Sequence, residues 1–475
     1  MRRPPVLLLA LLSAVALLPG CTGSGGAARH DGGHPSGPAG TSPPPGPASS
    51  SAPPLPGVPA AFTDPYGCLD GFVCAGLPVP VDHARQAAGR LTLQVALEAE
   101  PRAPRGVLVL LNGGPGAAGA PLAQTFADRL GPAVVSAYRV VAVDTRGTGP
   151  TAIDCPDLQA EQAHQFVPSA DAVRSCARHL GAVRGDYGTD ATVADLDRLR
   201  QALGAPRLTL VSISYGTFVA QQYALAHPDR VRSLVLDSAT PLGGPDTVGL
   251  DSVRAVPRVL RAACRAVHCP GDPVADLAAA VRRGDGADLL TLVVAMSAAH
   301  PSFDSLLTAL HAAARGHPFL LRQLLTAYRT GLGASADVYS AGLNAAAACA
   351  DLRFPWGRSD APLAGRAAAV RRAVAGAGSL YPFDAASVRG GPELATCLAW
   401  PPLQPSRLDL TAGRLPGVPT LFLAGDRDLT TPVDSVRAEV RASPSARLVL
   451  VHGAGHVATA MSGRARAVVR RFLLR

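Results

Sequence analysis

Lysine is absent from this 475-residue chain, aromatic residues make up only 4% of it, and charged residues only 17%. Each shortage excludes something. So few charges rule out a coiled coil, and without glycine at every third position the 49 glycines do not make a collagen. Lacking lysine, the chain has no lysine-bearing phosphate cradle, whatever its glycine-rich loops look like. The formal charge of +9 is carried by arginine alone. Its densest groups, Arg371–Arg372 and Arg464–Arg475, alternate with Ala and Val as helix faces do, which argues against nucleic acid as a partner. An Arg-only, Ala/Gly/Pro-heavy composition points to a GC-rich genome and says nothing about a ligand. A hydrophobic content of 48% excludes a fully disordered chain. Length alone allows about three domains, but α/β folds routinely exceed 200 residues as one unit, so one large domain with an insertion is expected.

Long apolar runs are also missing. Val6–Leu18, preceded by Arg2 and Arg3, is too short for a comfortable membrane span and has the layout of an export signal. Leu18-Pro19-Gly20-Cys21 resembles the lipobox of bacterial lipoproteins, which implies lipidation at Cys21 and a mature protein that hangs from the outer face of a membrane without crossing it. Simple secretion is the alternative. Between Thr22 and Ala60, 19 of 39 residues are Gly or Pro, too little apolar surface to offset ordering, so a disordered tether is expected. His30 and His34 within it read as solvated linker residues.

Eight cysteines remain beyond Cys21. None of their spacings is that of a zinc knuckle, and an exported chain favours oxidation, so no metal is expected. Proximity favours Cys68–Cys74, Cys155–Cys176, Cys264–Cys269 and Cys349–Cys397, although other pairings stay formally open.

From Leu91 onward β-rich apolar runs alternate with helical stretches. Leu91–Glu98, Gly106–Leu111, Tyr138–Val143, Leu208–Ile213 and Val231–Leu236 read as strands; Pro121–Leu130, Asp190–Leu203 and Thr217–Ala226 read as helices. The alternation resumes with strands Thr420–Ala424 and Arg447–Val451 and helices Ser435–Ala442 and Arg464–Leu474. Such βαβ units predict one mostly parallel sheet covered on both faces. The Ala-rich stretch between the two parts has the character of an inserted helical cap. The expected organisation is therefore 1–21 signal and lipobox, 22–60 tether, 61–240 first part of the core, 241–415 cap and connections, and 416–475 the end of the core.

Ser214 follows a strand and precedes a helix, with small Ser212 and Gly216 two positions either side. A sharp strand-to-helix turn strains its central residue and exposes the side chain, so Ser214 is the candidate nucleophile and the Tyr215 amide a candidate oxyanion donor. A base and an orienting carboxylate should follow in chain order at the carboxyl ends of later strands. Asp428 and His456 fit, with Asp426 and His452 as rivals. The second oxyanion donor is sought in the glycine-rich loop Asn112–Gly119, at Gly114 or, as the alternative, Gly113. Asp144 and Arg146, in VDTRGTGPT, are expected to brace these loops through a buried ion pair.

Together NGGPG at Asn112–Gly116, VDTRGTG at Val143–Gly149, SISYGT at Ser212–Thr217, GDRDLTTP at Gly425–Pro432 and GAGH at Gly453–His456 resemble the proline iminopeptidase family of α/β hydrolases, in particular its secreted actinobacterial tripeptidyl aminopeptidase branch. The resemblance spans about Tyr66 to Leu474 and takes in CAGLPVPVDH at Cys74–His83, similar to the segment that precedes the family's sheet, as well as Cys349–Asp351 and CLAWP at Cys397–Pro401. The chain departs from the pattern at Asn112, where the iminopeptidases have His, at Ser212 for Gly and at His83 for Tyr. What the resemblance implies is an α/β-hydrolase fold with a helical cap and cofactor-free serine exopeptidase chemistry on peptides with a free N-terminus, in a monomeric enzyme. Recognition of the substrate ammonium calls for a carboxylate from the cap. Glu393, the only Glu between Pro241 and Trp400, and Asp351 are the candidates. An esterase or lipase with the same triad, and a catalytically silent surface-binding lipoprotein, are the competing readings.

Overall fold

Nine strands hydrogen-bond into one mixed sheet in the order β1-β2-β3-β5-β4-β6-β7-β8-β9. They are β1 (Thr63–Leu69), β2 (Phe72–Pro80), β3 (Arg90–Glu98), β4 (Val107–Leu111), β5 (Arg139–Val143), β6 (Leu208–Ile213), β7 (Val231–Asp237), β8 (Thr420–Gly425) and β9 (Ala446–Val451). The computed structural model describes residues 57–85, 88–99, 103–331, 333–404, 407–408 and 410–475. The proposed signal, Cys21, His30 and His34 lie outside these residues.

From β5 through β9 all pairings are parallel, whereas β1, β2 and β3 join antiparallel. Every residue of β4, VLVLL, is buried. Its alternate side chains enter opposite cores: Val107, Val109 and Leu111 pack with the face that includes helices Thr189–Ala202 and Tyr215–Ala226, while Leu108 and Leu110 pack with Ala123–Leu130 and Gly463–Leu473. A strand buried on both faces has no polar side, which is why its sequence is a continuous apolar run.

β2 corrects the expectation for Cys74–His83. Instead of preceding the sheet, Phe72–Pro80 is a full strand paired with β3 from Phe72↔Glu98 to Pro80↔Arg90. Its prolines hid it. β1 pairs β2 only between Phe72 and Gly76, so Pro78 and Pro80 have no strand on that side and their missing N–H groups cost no ladder bond there. The helices Pro156–Gln162 and Ala170–Leu180, between β5 and β6, were also not anticipated from the sequence.

Between β7 and β8 run nine helices among the described residues, from Leu250–Val267 to Pro392–Ala399. In the first of them Val253, Val256, Leu260, Ala263 and Cys264 fall on one face and are buried in a core made mainly of cap residues. This inserted region is the helical cap. A further cluster packs the cap helices Ala341–Asp351 and Pro392–Ala399 against Ala170–Leu180, and two disulfides run through it, Cys155–Cys176 and Cys349–Cys397. Cys68 is bonded to Cys74 and Cys264 to Cys269. Loop-closure entropy ranks them. Replacing Cys349 and Cys397 by Ser, which opens a sequence separation of 48, should lower unfolding free energy by about 4 kcal/mol, against about 2 kcal/mol for the separation of 5 at Cys264–Cys269. Denaturant titration of the two double variants checks the order; equal midpoints would refute it.

No helix among the described residues is long and apolar enough to cross a membrane.

Candidate active site

Ser214 sits between β6 and the helix Tyr215–Ala226 with φ 53° and ψ −131°, a conformation that costs energy for any residue but glycine. Its amide is held by the Asp237 carbonyl at the end of β7, 3.0 Å away. The turn closes only because its neighbour is small: a Cβ on Gly216 would lie 2.4 Å from the Asn112 carbonyl. Ser212 is fully buried, and its hydroxyl donates to the Val235 carbonyl at 3.1 Å, so a serine is satisfied at that small position. Tyr215 opens the helix, where an amide has no acceptor one turn back.

Facing Ser214 is the loop Asn112–Gly119. Gly114 has φ +116°, and a Cβ there would meet the Gly116 amide nitrogen at 2.6 Å, so only glycine fits. The loop is clamped from two sides. Asp144 Oδ1 accepts the amides of Gly119 and Ala120, both at 2.7 Å. From the cap, Ser340 N donates to the Gly116 carbonyl at 2.9 Å and Asn344 Nδ2 to the Pro115 carbonyl at 3.0 Å.

Asp144 and Arg146 do not pair with each other, contrary to expectation. Arg146, with no exposed side chain, turns to Asp195 at 2.7 Å and to the carbonyls of Val81 and Asp186. His83 Nε2 shares the same Asp195 oxygen, also at 2.7 Å. Asp144, left without a cation and buried, has its pKa pushed up to about 6, burial outweighing the two amides that favour the carboxylate.

Loops after β8 and β9 carry the other candidates. Asp428, with no exposed surface, accepts the amides of Thr430 and Thr431, both at 2.9 Å, on Oδ1. Its Oδ2 takes the Thr431 hydroxyl at 2.8 Å and His456 Nδ1 at 3.0 Å. Burial opposes charge on both members, yet their mutual attraction prevails: Asp428 is lowered below the usual carboxylate value, with help from Thr431, and His456 is raised above the usual imidazole value. Asp237 adds to the second shift, because its buried carboxylate acts on His456 while accepting the amides of Ala458 and Thr459. Asp237 thus binds the Ser214 amide through its carbonyl and faces His456 with its carboxylate, which draws the three loops together. The rivals Asp426 and His452 pair with each other at 3.0 Å, with the His452 side chain 79% exposed.

Ser214, Gly114, Tyr215 and Thr431 open onto a cavity of about 230 Å³ whose cap side includes Val248, Leu290, Val294, Leu352 and Glu393. Glu393 is exposed within this partly open cavity, and desolvation by the surrounding protein raises its pKa. Asp351 is elsewhere. It is fully buried, and its Oδ2 accepts the Thr189 amide at 2.7 Å and the Tyr215 hydroxyl at 3.4 Å, which makes it a brace for the start of helix Thr189–Ala202 rather than a wall of the cavity. Asp246 also lines the cavity, with its carboxylate already engaged by the amides of Val248 and Leu250, both at 3.0 Å. Sequence reasoning missed Thr431 and Asp237. Both carried a signal, Thr431 as a hydroxyl three residues after an expected acid and Asp237 as an acid at a carboxyl strand end.

Residues 106–259 match the family described as alpha/beta hydrolase fold, and residues 382–475 the family described as TAP-like protein. The chain has the α/β-hydrolase fold. The chain is 30% identical over 186 residues to a tripeptidyl aminopeptidase of Streptomyces coelicolor, 35% of this chain and 34% of the relative. It is 29% identical over 187 residues to the serine protease Hip1 of Mycobacterium bovis, 36% of each chain. Over 157 residues it is 29% identical to a proline iminopeptidase of Neisseria gonorrhoeae, 33% of this chain and 40% of the relative. The matched region thus spans 34 to 40% of these relatives' lengths.

Proposed function

We propose that this hydrolase is an exported serine aminopeptidase that releases N-terminal residues or short peptides through an acyl-enzyme. Ser214 attacks the scissile carbonyl while His456 takes its proton and then delivers it to the leaving amine. Asp428 holds the ring in the tautomer that leaves Nε2 free to act as the base, and stabilises the imidazolium formed in the step. The amides of Gly114 and Tyr215 receive the oxyanion, and water resolves the acyl-enzyme. The observation that carries the reading is that Ser214 and Glu393 line one cavity. A substrate ammonium beside Glu393 would offset the burial that raises its pKa and favour the carboxylate. Peptides with a free N-terminus are accordingly the proposed partners, and lipid anchoring through Cys21 the proposed location.

Glu393→Gln should raise KM for a free-amine peptide by roughly 50-fold, the ~2–3 kcal/mol of a charge-assisted hydrogen bond, with kcat nearly unchanged. An unchanged KM would remove Glu393 from amine recognition. The wider test compares free-amine peptides, N-acetylated peptides and short acyl esters on the wild type. Cleavage lost on acetylation supports the aminopeptidase; ester turnover without amide turnover supports the esterase; no turnover across the panel supports the surface-binding protein.

A further inference from the structure

We propose that Ser297, in the cap, is a positioning residue for the Asp428–His456 pair, and that its helix couples filling of the cavity to the placement of the histidine. This rests on the serine-hydrolase reading above.

Ser297 lies in the last turn of the cap helix Gly286–Ala299, among Ala, Leu, Val and Met, and is fully buried. A buried hydroxyl in such surroundings needs partners. Its Oγ donates to the Val294 carbonyl at 2.7 Å and accepts the Leu429 amide at 3.0 Å. Leu429 directly follows Asp428. The Ser297 carbonyl, one of the last four of its helix and so without a partner inside it, accepts the amide of His456 itself at 3.1 Å. Two further contacts close the bracket. Arg427, directly before Asp428, donates to the Pro301 carbonyl at 2.8 Å. Gly455, directly before His456, lies so close that a Cβ on it would fall 1.7 Å from the Ser297 oxygen.

Asp428 and His456 belong to the sheet in sequence, yet the backbone on which each stands is held by the cap segment Ser297–Pro301. The same helix presents Leu290, Thr291 and Val294 to the cavity, within two turns of Ser297. A substrate that presses on this wall therefore bears on the helix that holds the histidine loop. Near-attack geometry is sensitive to shifts of about 1 Å, so a hydrogen bond at this point acts on turnover more than on binding.

Ser297→Ala leaves the buried Leu429 amide unpaired while keeping the carbonyl that holds His456. With enzyme concentration fixed by titration of Ser214 with a fluorophosphonate, kcat should fall about tenfold with KM within about twofold. The acid limb of the kcat/KM profile should move down by roughly 0.5 pH unit as Asp428 loosens, since the charges facing His456 are Asp428 and Asp237. Amide exchange should speed up at Leu429 and stay unchanged at His456, and Ser297→Thr, which retains the hydroxyl, should restore kcat. Faster Leu429 exchange with wild-type kcat and an unmoved profile would make the hydrogen bond purely structural and overturn the proposal. A wild type that does not react with fluorophosphonate at Ser214 overturns the hydrolase reading and this inference with it, an outcome distinct from the first.

Discussion

Ser214→Ala is expected to lower kcat for a free-amine peptide by roughly six orders of magnitude, to leave substrate binding nearly unchanged, and to abolish fluorophosphonate labelling. The size follows from the step removed. Without the hydroxyl no acyl-enzyme forms, and what survives is the modest help that the proposed oxyanion donors, the amides of Gly114 and Tyr215, would give to a direct attack by water. Alanine has the same backbone preference as serine in the left-handed region, so the turn at φ 53° is no more strained than before and the fold should be retained. Single-turnover kinetics with equal Tm values for both proteins is the measurement. A residual activity above about 1% would sink the nucleophile assignment.

Asp428→Asn should cost about three to four orders of magnitude in kcat, whereas Asp426→Asn should stay within about twofold. Asparagine keeps the size of the side chain but offers His456 Nδ1 a neutral partner, one that favours the wrong tautomer and no longer stabilises the imidazolium. The loss is large because the pair is enclosed: Asp428 is wholly buried and the His456 side chain is 10% exposed. Asp426 instead meets His452, whose side chain is exposed, and a contact at such a surface contributes little. The pH dependence gives an independent sign. His456 must be neutral to accept the serine proton, so activity rises as pH climbs through its pKa. Burial alone would lower that pKa, but Asp428 and Asp237 together raise it above the ordinary ~6.5. In the Asn variant the residual acid limb should shift to lower pH. A limb that stays in place, or equal losses at Asp426 and Asp428, would reverse the assignment of the acid.

What could be read from residues alone follows the range of the interactions involved. β4, β6 and β8 are recognisable because burial on both faces leaves mainly apolar side chains, and Leu208–Ile213 is found with both ends in place. β2 is not, because its prolines obey a rule for central ladders that does not apply beyond the end of its short neighbour β1. Glu393 stands out as a lone Glu in a long cap, whereas Asp351 looks equally available until its Thr189 and Tyr215 partners are seen. Asp144 and Arg146 show the same limit: two opposite charges two residues apart suggest a pair, but each finds closer partners on other segments.

By itself the sequence determined the alternation of strands and helices, the turn that strains Ser214, and the chain order of serine, acid and histidine. Those depend on local periodicity, on glycine at positions where a side chain would collide, and on which loop follows which strand. Only the tertiary structure decided that Asp428 rather than Asp426 meets His456, that Glu393 rather than Asp351 faces the cavity, and that the cap holds the backbone beneath both Asp428 and His456. The hydrogen bonds that decide them join segments as much as 162 residues apart, Thr189 to Asp351, and leave no period in the chain.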